Sequence, residues 1–110
     1  MTDQLLNERD LSFLLYELLD TDALLHRARY TEHDRNVFDA TLKTAREIAA
    51  HYFAPHNHKG DTHEPTFDGQ QVHLIPETKA AWQAFAEAGF LSAHHDFEDG
   101  GLQLPEVVLR

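Results

Sequence analysis

Histidine is the residue type in this 110-residue sequence whose number and spacing could support chemistry. The nine histidines include a cluster, an adjacent pair and a more isolated residue: His51, His56, His58 and His63; His94 and His95; and His73. Neutral imidazoles bind zinc, nickel or copper, and His56 and His58 would supply two ligands from one loop. Their spacing matches no common zinc pattern, and a loop with several histidines is usually only solvated. The sequence leaves open whether the cluster binds metal and assigns no metal ligand.

Nucleophilic catalysis has little support in the sequence. The serines are Ser12, inside an apolar helical run, and Ser92, where a loop starts. A Ser-His-Asp arrangement needs a serine held in a defined turn beside a base, and neither serine lies in a recognisable one. The sequence therefore predicts no hydrolase.

Carboxylates and glycines also have simpler explanations than catalysis. The pairs Asp20/Asp22 and Glu98/Asp99 are expected by chance in so acidic a chain, and we interpret them as caps and solubilising groups. Gly100-Gly101 lacks the strand and the lysine of a phosphate loop. Two adjacent glycines instead predict a tight turn in which backbones approach closely. No catalytic or cofactor-binding residue is assigned.

Composition limits the class of protein. Nineteen acidic and nine basic residues give a formal charge of −10, which repels nucleic-acid phosphates and anionic membrane surfaces. Cysteine is absent, which excludes disulfides, thiolate metal sites and a cysteine nucleophile. No apolar run is long enough to span a bilayer, and the first residues lack the basic start of a signal peptide. We expect a soluble, cytoplasmic protein.

The first organised element is a helix over residues 10–19 with Asp10 as its N-cap. Apolar residues at i, i+3, i+4 and i+7 form one face: Leu11, Leu14, Leu15 and Leu18. Additional apolar residues widen that face beyond what a surface helix needs: Phe13, Tyr16 and Leu19. Whether this helix is core or a partner surface stays open.

The longest periodic run predicts a helix of about 23 residues, opened by a capping box at Thr31–Asp34. Proline lacks the N–H of a continuing helix, so Pro55 is predicted to end it. Asp68-Gly69 predicts a hairpin near 65–74, which is so short that it should need packing on the helices. Residues 76–89 predict a further helix, with Phe90 and Leu91 packed over its last turn.

The last residues, 105–110, predict the start of another helix that breaks off at Arg110. A chain that stops in mid-element is expected to be a fragment of a longer protein. The fold class predicted from all these elements is all-α, mostly helical, with one small β-hairpin.

Three stretches resemble the start of an acyl-CoA dehydrogenase, specifically the longer bacterial branch with an extra N-terminal helical segment. Residues 10–20 are similar to the leading segment of that branch, and 54–61 to the Ala-Pro-x-Asn-x-x-Gly-Asp turn after the long helix. Residues 82–91, followed by 97–105, are similar to the family's helix-Gly-Phe/Trp-Leu and Glu-Tyr-Gly-Gly-x-Gly-Leu-Pro passage. Asp99 stands where Tyr is usual and Gln103 where Gly is frequent.

The resemblance implies a truncated N-terminal helical domain of the acyl-CoA dehydrogenase fold, with a helical extension at 1–30 and the first part of the domain at 31–110. Family members use FAD and a glutamate base to oxidise the α,β bond of an acyl-CoA thioester, then reduce an electron acceptor. That glutamate and most flavin contacts would lie beyond Arg110, so this chain alone should be inactive.

Two further expectations concern partners. Apolar faces left uncovered in a fragment favour self-association, so we expect a homo-oligomer. The alternative function is a stand-alone helical interaction module, in which the leucine-rich first helix docks on a partner or on its own copy.

Overall fold

A mostly helical chain with one two-stranded antiparallel sheet confirms the all-α prediction. The computed structural model describes residues 5–110. Five α-helices and two strands are found in this range: α1 (Glu8–Ser12), α2 (Arg35–Ile48), α3 (Asn57–Thr62), β1 (Thr66–Phe67), β2 (Val72–His73), α4 (Pro76–Glu87) and α5 (Glu106–Leu109). Two π-helical turns, Phe13–Leu18 and Ala49–Phe53, continue α1 and α2. The 3-10 turns are Thr21–His26, Ala28–Tyr30, Ala54–His56, Phe90–Ser92 and Phe97–Asp99.

The first helix starts earlier than its sequence pattern predicts. The N-cap is Asn7, whose side-chain oxygen accepts hydrogen bonds from the backbone N–H groups of Arg9 (3.1 Å) and Asp10 (3.2 Å). The prediction of Asp10 as the cap is therefore wrong. Asp10 instead lies in the first turn, where an acidic side chain favours the positive end of the helix.

The apolar face predicted for this helix is only partly correct. Its second half is a π-turn, in which the N–H of Leu19 donates to the carbonyl of Leu14 over 2.9 Å. Because the i→i+5 turn is wider than an α-turn, residues beyond it no longer follow the 3.6-residue period. Leu11 and Leu15 pack into the core, whereas Leu14 and Leu18 are exposed.

The long helix begins three residues later than the predicted capping box. Asp34 is the N-cap, and its carboxylate accepts a hydrogen bond from the N–H of Val37 over 2.9 Å. Thr31 instead donates its hydroxyl to the carbonyl of Ala28 (3.2 Å), so the capping role predicted for Thr31 is wrong.

Pro55 does not end the helical run, which corrects the second boundary of that helix. The chain passes from α2 through the π-turn Ala49–Phe53 and the 3-10 turn Ala54–His56 into α3. Pro55 lies at the start of the 3-10 turn, where its missing N–H is not needed by a preceding turn. The proline changes the helix type rather than terminating it.

The predicted hairpin is present, but it does not pack on the helices as expected. Thr66 pairs with His73 and Phe67 with Val72, and all four residues are exposed. Gly69 adopts φ +98°, the left-handed region that the turn requires and that glycine enters without strain. The hairpin must therefore depend on bonds within its own turn.

Asp68 supplies those bonds. One of its carboxylate oxygens accepts from the N–H groups of Gln70 (2.8 Å) and Gln71 (2.9 Å). The other lies 2.7 Å from Nε2 of His73 on the opposite strand. These bonds, with the Gln71 amide as the largest contribution, hold the pKa of Asp68 below its ordinary value.

The last two helices agree with the sequence pattern. Gly89 ends α4 in the left-handed conformation, at φ +85°. Phe90 then packs back on the helix, with its ring centroid 5.4 Å from that of Phe85, whereas Leu91 remains half exposed. The turn predicted after Pro105 is α5.

One core joins the start, middle and end of the described chain. It consists of buried side chains from the leading segment, α2 and the C-terminal third: Leu15, Tyr16, Phe38, Ala93, Leu104 and Val108. Described residues on both sides of the predicted boundary between 30 and 31 therefore contribute to a single core.

The overall shape is flat and open. The radius of gyration is 17.0 Å and the extents are 52 × 36 × 17 Å. A compact domain of this length would have a radius of gyration of about 13 Å. Many large apolar side chains consequently remain exposed, including Tyr52, Phe53, Leu74 and Trp82.

Phe38→Ala should strongly destabilise the fold, because this side chain is 0% exposed at the centre of the core. We expect a loss of about 3–5 kcal/mol in the free energy of unfolding, measured by urea denaturation followed by circular dichroism. Phe67→Ala is the matched control, since Phe67 is 69% exposed, and should change stability by less than about 0.5 kcal/mol. Equal losses in the two variants would contradict this placement of the core.

The hairpin should open in acid, because the pKa of Asp68 is lower in the folded state than in the unfolded state. Its contribution is present above the ordinary aspartate pKa and is lost as the pH falls through the lowered folded value. The amide resonances of Gln70 and Gln71 should move towards random-coil positions in that acidic window. Asp68→Ala should show open-hairpin shifts at neutral pH, and unchanged shifts in this variant would contradict the role of Asp68.

Candidate functional site

The histidine cluster does not converge on a metal centre. Nδ1 of His51 donates to the carbonyl of Glu47 over 3.0 Å, and Nδ1 of His63 lies 3.1 Å from the carbonyl of Lys59. His58 is exposed. Between residues 5 and 110, no group of three or more His, Asp or Glu side chains is arranged to hold a metal ion.

His56 ends the 3-10 turn that precedes α3 and lies near enough to Glu77 of α4 to act on its carboxylate electrostatically. Its ring centroid is 6.1 Å from that of Phe53, and its Nδ1 is buried without a hydrogen-bond partner among the described residues. Beside it, Nζ of Lys59 donates to Glu77 over 3.0 Å. This bond is the main cause of the lowered pKa of Glu77, to which His56 adds a small electrostatic effect. The group therefore links two helices.

A second polar cluster lies between the leading segment and α2. The hydroxyl of Tyr16 donates to the carboxylate of Asp39 over 2.6 Å. The guanidinium of Arg35 lies 3.8 Å above the Tyr16 ring centroid and 3.9 Å from the carboxylate of Asp22. Arg35 and Asp39 are four residues apart on α2 and so share one helix face. That spacing is visible in the sequence, but nothing there pairs it with Tyr16.

Burial raises the pKa of Tyr16, and the hydrogen bond to Asp39 raises it further. The hydroxyl therefore stays protonated and acts as a hydrogen-bond donor rather than as a base. The Tyr16 ring packs against the guanidinium of Arg35, and its hydroxyl donates a hydrogen bond to the carboxylate of Asp39. The cluster holds two helical segments together.

A shallow cleft of about 240 Å³ opens beside this cluster. Its walls include Ser12, Tyr16, Asp39 and Lys43, while Glu8 and Arg46 form a 3.2 Å ion pair at its edge. No histidine is among the described residues that line it. Ser12 therefore has no imidazole base in the cleft, and the arrangement does not supply nucleophilic catalysis.

The second serine is also structural. Ser92 lies 3.5 Å from the carbonyl of Gly89, in the turn that follows α4. This local contact places its hydroxyl against the backbone.

A clasp connects the turn at 28–33 to the loop at 94–103. Arg29 forms an ion pair with Asp96, and its other terminal nitrogen donates to the carbonyl of His94 over 3.1 Å. The side-chain amide of Gln103 returns a hydrogen bond to the carbonyl of Arg29 over 2.7 Å. His33 adds a contact of 2.9 Å from Nε2 to the carbonyl of Gln103.

Gln103 lies at a position where the backbone conformation usually favours glycine. Its φ is +50°, in the left-handed region where glycine is the usual residue. Its side chain compensates by accepting from the N–H of Phe97 over 3.1 Å and donating to Arg29. Gln103 therefore holds a left-handed backbone conformation while its side chain makes two hydrogen bonds.

The Gly100-Gly101 turn confirms the predicted close backbone approach. Gly100 has φ +81°, and a Cβ on Gly101 would collide with the carbonyl of His95. The amides of this turn are occupied: Gly100 donates to the carbonyl of Phe97 and Gly101 to that of Asp96. These amides are therefore engaged inside the protein rather than directed at a phosphate.

None of the helices formed by residues 5–110 combines the length and the apolar character that a bilayer crossing requires.

The chain is similar to 3-methylmercaptopropionyl-CoA dehydrogenase from Ruegeria pomeroyi, with 28% identity over 100 residues. The alignment covers 91% of this chain but 17% of the relative, so the chain spans about one sixth of that protein's length. No family model matches the chain. No solved structure matches it either. This partial similarity agrees with the resemblance to acyl-CoA dehydrogenases at the level of the family name and no further.

The two roles of Gln103 can be separated by substitution. Gln103→Ala removes both side-chain bonds and leaves a strained left-handed residue, whereas Gln103→Gly removes the bonds but relieves the strain. Gln103→Gly should be more stable than Gln103→Ala by about 1 kcal/mol, with both below the wild type in thermal denaturation.

Gln83 provides the matched control, because it is exposed within α4. There the order should reverse, with Gln83→Ala more stable than Gln83→Gly by about 1 kcal/mol. The same order at both positions would show that Gln103 does not need the left-handed conformation.

Proposed function

We propose that this chain is the N-terminal helical part of a flavin-dependent acyl-CoA dehydrogenase. The parent enzyme would oxidise the α,β bond of an acyl-CoA thioester and pass the electrons through FAD to an acceptor. The observation that carries the proposal is the similarity to a dehydrogenase of this kind, which extends over 91% of the chain and 17% of the relative.

The open shape supports a role as part of a larger body. The folded protein would gain stability if further domains covered exposed aromatic side chains such as Tyr52 and Trp82. We therefore propose that this chain forms part of the wall of the acyl site and packs against another subunit in a homo-oligomer. The proposal includes the division into an extension at 1–30 and the first part of the helical domain at 31–110.

Two groups that could be considered for flavin chemistry, the glycine turn and the Tyr16 hydroxyl, are already engaged inside the protein. The glycine turn at 100–101 uses its amides for the carbonyls of Phe97 and Asp96, so they cannot cradle a pyrophosphate without breaking those bonds. The protonated Tyr16 hydroxyl does not supply a base. As the family resemblance implies, the proposal includes flavin binding and an α-proton base at residues beyond Arg110, in a cytoplasmic parent.

The isolated 110-residue chain should neither retain FAD after gel filtration nor oxidise acyl-CoA with an artificial electron acceptor. A polypeptide that continues the reading frame beyond Arg110 should retain FAD, absorb visible light as flavoproteins do, and turn over acyl-CoA. Acyl-CoA compounds of different chain length, assayed with that longer polypeptide, would define its substrate.

Two outcomes would contradict the proposal. Turnover by the 110-residue chain would place the catalytic base within it. A longer polypeptide that binds no flavin would show that the parent is not a flavin-dependent dehydrogenase. Heat-treated longer polypeptide with added FAD is the control for reaction between free flavin and the acceptor.

A further inference from the structure

The leading segment carries an exposed apolar stripe that the core does not use. We define the leading stripe as Phe13, Leu14, Leu18 and Leu19, whose side chains are 44% to 63% exposed. The π-turn brings residues five apart into neighbouring positions on successive turns, which places Leu18 beside Phe13 and Leu19 beside Leu14. The result is one continuous apolar surface rather than scattered side chains.

The opposite side of the same turn is fixed to the protein. Leu15 and Tyr16 are buried, the hydroxyl of Tyr16 is bonded to Asp39, and the hydroxyl of Thr21 donates to the carbonyl of Leu15 over 2.6 Å. The leading stripe cannot turn inwards without breaking these contacts. It is therefore presented outwards in a fixed orientation.

Along the leading segment, the exposed charges next to the leading stripe are mainly acidic, whereas an arginine of α2 packs against the opposite, buried side at Tyr16. Asp10 precedes it, Glu17 lies within it along the chain and Asp20 follows it, and all three are exposed. Arg9 is the nearest basic residue before the stripe, and the next in sequence is Arg27. A complementary surface would be apolar at its centre and basic at its edge.

We propose that the leading stripe docks into an apolar groove on a partner protein whose rim carries lysine or arginine side chains. An amphipathic helix laid into such a groove is an established mode of recognition. A second copy of this chain fits less well, because its charge is also −10 and its own leading stripe carries the same acidic rim. This inference is independent of flavin binding and of dehydrogenase activity.

The test uses a fluorescent amphipathic peptide with leucine on one face and lysine on the other as a surrogate for the basic-rimmed groove. Anisotropy should show saturable binding to the 110-residue chain that weakens as salt is added. Leu14→Ser/Leu18→Ser should weaken binding by about tenfold or more, since two apolar contacts are lost. The same peptide with glutamate in place of lysine should not bind.

The matched control is Val72→Ser/Leu74→Ser, which removes two similarly exposed apolar side chains from the hairpin and the segment that follows it. This variant should bind the lysine peptide like the wild type. Circular dichroism and thermal denaturation of both double variants verify that the fold is kept. Equal weakening in the two variants, or no loss in either, would show general charge attraction and overturn the proposal.

Sedimentation velocity and the longer polypeptide distinguish the other occupants. Leu14→Ser/Leu18→Ser should leave any concentration-dependent self-association of the chain unchanged. If self-association is lost in this variant, the occupant of the leading stripe is a second copy, and the proposal is overturned. Peptide binding should persist in the polypeptide that extends beyond Arg110. If the longer polypeptide no longer binds the peptide, its remaining residues cover the leading stripe, and the proposal of a groove on a partner protein is wrong.

Discussion

The contact between Tyr16 and α2 is the interaction on which the arrangement of this protein depends. The ring lies under the guanidinium of Arg35, and the hydroxyl donates to Asp39, so one side chain satisfies both a cation and a carboxylate. Because this contact fixes the leading segment, Leu15 enters the core beside Phe38 and Val108. The same anchoring determines that the other side of the π-turn faces outwards.

The functional surfaces follow from that arrangement. Several described polar groups bond one another across the fold, as in the clasp between Arg29 and Gln103 and the link between Lys59 and Glu77. Large apolar side chains meanwhile remain exposed over a flat molecule. A protein with such exposed apolar side chains is suited to packing against another polypeptide surface. Both the proposed dehydrogenase role and the proposed docking of the leading stripe require such packing.

Several elements were predictable from the sequence because their signals are local. The hairpin at Asp68-Gly69, the end of α4 at Gly89 and the close approach at Gly101 each depend on backbone conformations that few residues adopt. Helix boundaries were less predictable: Asn7 and Asp34 are the caps in place of Asp10 and Thr31. Several nearby polar residues could satisfy the same amide groups, so the sequence alone does not choose between them.

The sequence by itself determined the all-α class, the hairpin, the acidic charge and the absence of cysteine chemistry, because composition and local period are properties of the chain. Tertiary structure alone decided that the leucines of the leading segment divide between core and surface. It also decided that no three His, Asp or Glu side chains of residues 5–110 converge to hold a metal ion. A π-turn changes which residues share a face, and its position depends on what the helix packs against. Pairing Tyr16 with Asp39, 23 residues later, is likewise set by the folded core rather than by any local pattern.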